Sequence, residues 1–423
     1  MLWVKGGGLV PPDVGMRIRS YYLLRELAQR HQITLFTFYA AHPNDQHQSL
    51  AGMFERLVCM PLKVPDRRSA GEYAKYAASL FSSLPYSVRK YCGGAVRDAL
   101  RHLVKGASFD VAVCDFILPA VVFPWEVDCP KIIFTHNVET LIWKRHVEVA
   151  RNPLWKLIAR REHRNMAVYE RKYLSLADHI LAVSDVDRVF FNQLLKTVNV
   201  SVIPTGVDVE YFAPLGPATE RPGSLVFVGS MDWLPNEEGV SFFIEQVLPA
   251  IRRQIPEASL TVVGRSPSEK LRSLASKHGV HVTGTVDDVR PYMREAAVYI
   301  VPLRVGSGTR LKIFEAMAMA KAITSTTLGA EGLPVADGEN LLLADTPEDF
   351  ARKTVRLLRN PEERTRLGTA ARQLVTRDYS WAAVSTHIDE VFQRLTESSH
   401  AAEAGNHPDN AGGLAANHQS HSA

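Results

Sequence analysis

The sequence predicts an α/β protein made of two Rossmann-like domains, each a parallel sheet covered by helices. Three observations point there. Short β-branched runs alternate with amphipathic helical stretches along most of the chain. The runs are apolar almost throughout rather than alternating, the pattern of strands buried on both faces. The 423 residues also suffice for two domains of roughly 100–200 residues each.

The opening strand runs into Gly6-Gly7-Gly8. Further strands are expected at Ile33–Tyr39, Val111–Cys114, Lys131–Thr135, His179–Ser184 and Val200–Ile203. A second set follows at Leu225–Gly229, Ser259–Gly264, His281–Thr283, Val298–Leu303, Ala322–Ser325 and Leu341–Leu343. Helices are expected at Ile18–Arg30, Glu238–Gln254, Ser268–His278 and Pro347–Leu358, with another over Leu141–Lys172. The Pro- and Gly-rich stretch Tyr211–Gly223 lacks periodicity and reads as a linker. These signals give a first domain over 1–205, a second over 206–380 and a terminal helix over 381–395 that could cross back to the first domain. The tail 396–423 is poor in large apolar groups and is expected to be disordered. Its irregularly spaced His400, His407, His418 and His421 do not form a metal motif.

Composition narrows the class. A hydrophobic fraction of 46% is ordinary for a globular protein. Cys59, Cys92, Cys114 and Cys129 form no CxxC pair and no metal-like spacing, so reduced thiols in the cytoplasm are expected. The opening residues are too short for a signal peptide. The most apolar stretch, Val111–Pro124, is too short to cross a bilayer and is broken by Asp115 and Pro119. Charge is uneven: residues 1–205 carry 27 Lys and Arg against 18 Asp and Glu, whereas the remainder carries 22 against 27. The basic half suits an anionic membrane or an acidic substrate, or is plain solvated surface.

The segment Val301–Ala320, VPLRVGSGTRLKIFEAMAMA, reads as strand, glycine-rich turn and helix. Arg310 and Lys312 fall in the first helical turn, where the dipole disfavours cations. Glu315 is the lone charge in an apolar run. Cations at a helix start suit an anion docked on free backbone N–H groups, and a lone carboxylate suits polar hydroxyls. A sugar nucleotide offers a diphosphate for the first and a ribose for the second.

Seven stretches in order carry a family resemblance: PPDVGMRIRSYYLLRELA, FTHNVE, IPTGVD, FVGSMDWLPN, GTVDDVRPYM, GSGTRLKIFEAMAMA and GAEGL. The chain resembles the retaining family 4 glycosyltransferases over almost everything from Val4 to Leu395, in wording close to the bacterial exopolysaccharide branch. The resemblance implies the GT-B fold, two Rossmann-like domains facing a central cleft, with the acceptor side in the first and the donor side in the second. It implies transfer of a sugar from a nucleoside-diphosphate donor to a glycan or lipid-linked acceptor, with retention and with neither metal nor cofactor. Nucleic acid is not an expected partner.

Site residues follow residue by residue. Gly308, Thr309, Arg310 and Lys312 match the diphosphate-binding turn; the alternative is that both cations face solvent. Glu315 matches the second acid of the family's E-x7-E motif and is implied to bind ribose, with an ion pair to Lys312 as the competing role. Ser307 stands where the first acid belongs and brings no charge to the donor sugar. Ser230 and Asn236 stand near positions where relatives carry diphosphate-binding Arg and Lys, so Arg265 or Arg304 are further candidate cations. Gly7, Gly8 and Gly15 are candidate donor-loop glycines, and a flexible turn serves equally for the triplet. Arg17 and Arg19 suit phosphate, an anionic acceptor or solvent. His136 matches the family's active-site histidine, or is a structural histidine on nearby backbone. By resemblance no enzymic nucleophile is needed; the acceptor attacks from the leaving-group face.

Leu141–Lys172 carries nine Lys and Arg against three Glu, with Trp143, Leu154, Trp155 and Ile158 as apolar bulk. It suits an anionic membrane at the inner face of the plasma membrane, or simple packing on the first domain. Two other function classes remain: a non-catalytic sugar-nucleotide-binding module, and a sugar-nucleotide epimerase on the same scaffold.

Overall fold

The computed structural model describes residues 1–12, 15–39, 50–62, 70–80, 82–89, 93–150, 152–214, 220–305 and 311–405. Contacts divide the chain into two units. The first holds Met1–Pro11, His31–Val202 and the chain from Ile388; the second holds Pro12–Arg30 and Ile203–His387. The helix Gly15–Leu27 thus groups with the second unit, away from its sequence neighbours. It is fastened there by the IPTGVD segment: Arg19 Nε donates to Thr205 Oγ1 at 3.1 Å, and Arg25 pairs with Asp208 at 3.3 Å.

The first unit contains seven parallel strands, β1 (Leu2–Gly6), β2 (Thr34–Tyr39), β3 (Arg56–Pro61), β4 (Ala112–Asp115), β5 (Lys131–Phe134), β6 (His179–Ala182) and β7 (Asn199–Val202). Their order is β3-β2-β1-β4-β5-β6-β7. β1 lies between β2 and β4, with Leu2 opposite both Thr34 and Ala112. Every residue of β1, β4 and β6 is buried, as strands covered on both faces require. β3 was not expected. It is a half-exposed edge strand ending in Pro61, and its burial pattern gives little periodic signal.

The second unit repeats the plan with six parallel strands, β8 (Arg221–Val228), β9 (Ser259–Val263), β10 (His281–Val282), β11 (Ala296–Val301), β12 (Ile323–Ser325) and β13 (Leu342–Leu343). Their order is β10-β9-β8-β11-β12-β13. In both sheets the winding reverses beside the first strand, between β1 and β4 and between β8 and β11. At such a switch point the loops leaving the two strands diverge and open a crevice at their carboxyl ends.

Three expected helices differ. The expected Glu238–Gln254 helix is a helix Leu234–Phe242, a π turn Phe243–Val247 and a helix Leu248–Arg252. Pro249 lacks an N–H and crowds the carbonyl four residues back, which forces the wider turn. The expected Leu141–Lys172 helix is two helices, Glu139–Val149 and Pro153–Leu174. Pro153 starts the second, capped by Asn152, whose side chain accepts from Leu154 N at 2.9 Å and Trp155 N at 3.1 Å. The last helix runs Trp381–Gly405, past the expected end at Leu395, through a stretch rich in Ala and Glu. Residues 406–423 lie outside the described residues.

Gly264, just after β9, is the tightest glycine among the described residues of the second unit. A Cβ there falls 1.8 Å from the Gly229 carbonyl oxygen, and its φ is +155°. No side chain fits between the ends of β8 and β9. Gly264→Ala is therefore expected to cost at least about 3 kcal/mol, read as a lowered midpoint in denaturant unfolding. A melt unchanged from the native chain would refute this close approach.

Candidate functional site

In the second unit the switch point collects the charged groups. β8 ends at Val228, and Gly229-Ser230 turns toward the helix Leu234–Phe242. Asn236, 3% exposed, donates from Nδ2 to the Ser230 carbonyl at 2.7 Å and accepts at Oδ1 from Lys312 Nζ. Lys312 belongs to the helix Leu311–Ala318 that follows β11. Its ammonium lies 4.6 Å from the Phe227 ring centre and 5.7 Å from that of Trp233, a cation held against aromatic faces. Gly229 makes the room: a Cβ there falls 2.8 Å from both Asn236 Nδ2 and Lys312 Nζ.

Arg265 leaves the end of β9 toward the same turn. Its Nε donates to Ser230 Oγ at 2.7 Å and lies 3.5 Å from Asp232 Oδ2. The Ser230 hydroxyl in turn donates to Asp232 Oδ1 at 2.6 Å. The guanidinium stays largely exposed, so it is oriented but still open to a ligand. Arg304, the other candidate, is committed elsewhere: it pairs with Glu238 and lies over the Phe242 ring.

Glu315 sits one turn beyond Lys312. It keeps some surface exposure but is densely surrounded by protein, and it makes no hydrogen bond or ion pair with the described residues. Loss of water pushes its carboxyl up to about 7, against the opposing pull of Lys312. The expected ion pair between the two is thus a through-space attraction, while the lysine's hydrogen bond goes to Asn236. Gly306, Ser307, Gly308, Thr309 and Arg310 lie outside the described residues, so the anion-binding turn expected there is not placed.

The first unit's switch point holds a second constellation. Gly7 and Gly8 follow β1 with φ of +97° and +74°, backbone that favours glycine. A Cβ on Gly7 meets nothing within 4 Å, so conformation rather than space asks for glycine at that position. Asp115 closes β4 with no exposure at all and gathers three neighbours. Trp3 Nε1 donates to Oδ2 at 2.9 Å, Lys5 Nζ lies 3.5 Å from Oδ1, and His136 Nε2 lies 2.6 Å from Oδ1. Burial pushes the Asp115 carboxyl up, but the charges of Lys5 and His136 and the hydrogen bonds outweigh it and hold it well below the usual range. An ionised carboxylate only accepts, so His136 Nε2 carries the hydrogen and donates it.

His136 follows β5 as expected, at its carboxyl end, and is 3% exposed. Its ring is fixed by Asp115 and lies against Phe134 and Phe116, at 4.7 and 5.7 Å between centres. Lys5 and Asp115 were not singled out in the sequence. The signal was present, since a lone carboxylate closing an apolar strand is the pattern that marked Glu315. Arg19, one of the two candidate cations near Gly15, is 8% exposed and donates to Thr205. Gly15 opens its helix with nothing within 4 Å of a Cβ. Among the described residues no three His, Cys, Asp or Glu side chains are grouped to hold a metal.

Two consequences are measurable. Asp115→Asn removes the buried carboxylate beside Lys5 and His136, and is expected to cost about 3–5 kcal/mol in denaturant unfolding. Glu315 works the other way. Its folded pKa lies above the usual value, so the native state holds the proton longer than the unfolded chain does. Stability therefore falls as pH rises from about 4.5 to about 7 and is level on either side. Glu315→Gln is expected to flatten that fall and to melt higher than the native chain at pH 8. A lower melting temperature for Glu315→Gln at that pH would contradict the desolvated carboxylate.

Comparison with known proteins bears on the family and the fold. The family model "Glycosyltransferase Family 4" matches residues 15–211, and "Glycosyl transferases group 1" matches 222–360. The phosphatidyl-myo-inositol mannosyltransferase of Mycobacterium tuberculosis is 29% identical over 231 residues, which are 52% of this chain and 60% of that protein. The Mycobacterium leprae protein of the same name is 32% identical over 227 residues, 52% of this chain and 59% of that one. The alignment thus spans well under two thirds of these curated relatives. Among solved structures, sucrose-phosphate synthase from Thermosynechococcus elongatus superposes with a TM-score of 0.63 at 19% identity, over 94% of this chain and 99% of that one. Anabaena HepE in complex with UDP and glucose gives 0.60 at 13% identity, over 93% and 99%. These two likenesses are of fold. With both family models in order along most of its length and two parallel sheets of the GT-B type, the chain belongs to the family 4 glycosyltransferases.

Proposed function

We propose that the protein transfers a hexose from a nucleoside-diphosphate sugar to a glycan or lipid-linked acceptor, with retention, in bacterial cell-surface polysaccharide synthesis. One observation carries the donor side. A single helix presents a braced ammonium, Lys312, and a carboxylate without a partner among the described residues, Glu315, at the switch point of the second sheet. A diphosphate meets the first and ribose hydroxyls meet the second. The HepE structure, a complex with UDP and glucose, supports a nucleotide ligand for this fold. The mannosyltransferase relatives support a sugar acceptor that is lipid-borne.

In the reaction, the bond from the anomeric carbon to the β-phosphate oxygen breaks. The acceptor oxygen bonds to that carbon on the same face, and its proton passes to the departing phosphate. Negative charge grows on the β-phosphate, and cations fixed before the reaction stabilise it without reorganisation. Lys312 and Arg265 fill that role here, so we assign the enzyme no metal and no cofactor. His136, locked by Asp115, is assigned to the transferring sugar in the first unit. The first unit is assigned the acceptor.

The test is a thermal-shift panel of nucleoside diphosphates, followed by donor sugars on the preferred base and product analysis of the anomer. One diphosphate should raise the melting temperature, and Lys312→Ala should weaken its affinity about tenfold or more. Affinity should also rise as pH passes about 7, with Glu315→Gln abolishing that rise beyond the phosphate's own titration. Tight binding without sugar transfer or donor hydrolysis, acceptor supplied, would instead favour the binding module.

A further inference from the structure

The helices Glu139–Val149 and Pro153–Leu174 pack side by side in the first unit. Their sequence carries four acids among the bases, but the fold buries three of them, with Glu139 at the start of the first helix 9% exposed. Glu162, with no exposure, accepts from Tyr86 N at 2.7 Å. Glu170, equally buried, accepts from Glu139 N at 3.0 Å and Thr140 N at 3.2 Å, capping the neighbouring helix. Glu148 alone of the four remains exposed. The bases sort the opposite way. Lys144, Arg160 and Arg164 are exposed and pair with no acid among the described residues. The outer face is therefore more cationic than the sequence count suggests.

The same face is also apolar. Leu154 is 66% exposed, Leu157 64% and Val168 65%. Spacings of three and four place Leu157, Arg160, Arg164 and Val168 on one stripe of the helix, with Leu154 beside its start. At the end where the two helices meet, Trp155 lies 6.5 Å from Trp143 and 6.3 Å from His146 between ring centres. An aromatic cluster beside exposed leucines and arginines fits the boundary between lipid headgroups and acyl chains. An acidic protein or nucleic acid would match the charge but leave the leucines in water.

We infer that this helical pair is a docking surface for an anionic lipid bilayer, inserting the Leu154–Leu157 end and setting its arginines against headgroup phosphates. The inference gives the lipid-linked acceptor of the proposed function a physical location, and it rests on that reading only for its purpose, since lipid binding needs no turnover. The experiment is flotation of the full chain with phosphatidylcholine vesicles, and with vesicles carrying roughly a third phosphatidylglycerol. The protein should float with the anionic vesicles at about 0.1 M salt, much less at about 0.5 M, and not with the neutral ones. Arg160→Glu/Arg164→Glu should lower partitioning at least about tenfold, and Leu154→Ser/Leu157→Ser should lower it as well. Both exposed pairs should leave cooperative thermal unfolding intact. Flotation that ignores lipid charge, that is absent from anionic vesicles in a chain that melts cooperatively, or that survives the arginine reversal overturns the proposal. Loss of the nucleotide-induced shift with flotation intact would instead count against the donor site alone.

Discussion

A carboxylate taken out of water must find a cation or hydrogen-bond donors, or else keep its proton. This chain follows both courses, each at the reversal point of a parallel sheet. Asp115 is fully partnered by Trp3, Lys5 and His136 and is held ionised. Among the described residues Glu315 has one cation nearby, bonded to Asn236, and is pushed up to about 7. The first arrangement is finished within the protein. It orients a histidine and needs no ligand to be stable. The second is unfinished, and it destabilises the folded chain at neutral pH. A ligand that donates hydroxyls to Glu315 and an anion to Lys312 relieves both groups at once. The cost is carried by the free protein and returned on binding, a common form of preorganisation.

The bracing of Lys312 explains several otherwise separate residues. Its ammonium is steered by Asn236, which is itself fixed by the Ser230 carbonyl. Gly229 has no Cβ to occupy that space. Phe227 and Trp233 supply faces that favour a cation. The Gly229 carbonyl is crowded by Gly264, so the turn after β8 is set by backbone packing rather than by loop preference. Ser230 and Asn236 are thus neutral links that position Arg265 and Lys312. Charge at the site enters from β9 and from the helix after β11, on rigid supports.

The sequence made the sheets legible because parallel strands buried on both faces leave long apolar runs, and these were found in both units. Elements are illegible where the sequence signal is weak or contradicted locally. β3 is half-exposed at an edge, and Pro249 and Pro153 each interrupt a helix whose apolar periodicity continues through them. Glu315 and His136 were visible because a polar group stood out against an apolar run. Asp115 was equally visible but was read only as a break in hydrophobicity. Lys5 could not be found alone, because its partner lies 110 residues away and only the β1–β4 pairing brings them together.

The same logic of partnered and unpartnered charge operates on the helices of the first unit, with the opposite result at the surface. Sequence counts treat every ionisable residue of a helix as equal. The fold does not: Glu162 and Glu170 spend their charge on backbone N–H groups inside the unit. Arg161 is spent likewise, on the Ser79 and Ser82 carbonyls at 2.6 and 2.7 Å. What remains outward is set by which residues the interior consumed, and here it consumed more acid than base. A cationic, leucine-bearing face is then a by-product of internal capping that needs no extra lysines. Selection on such a face would act first on the exposed leucines, because the arginines are useful in water whereas Leu154 and Leu157 are not.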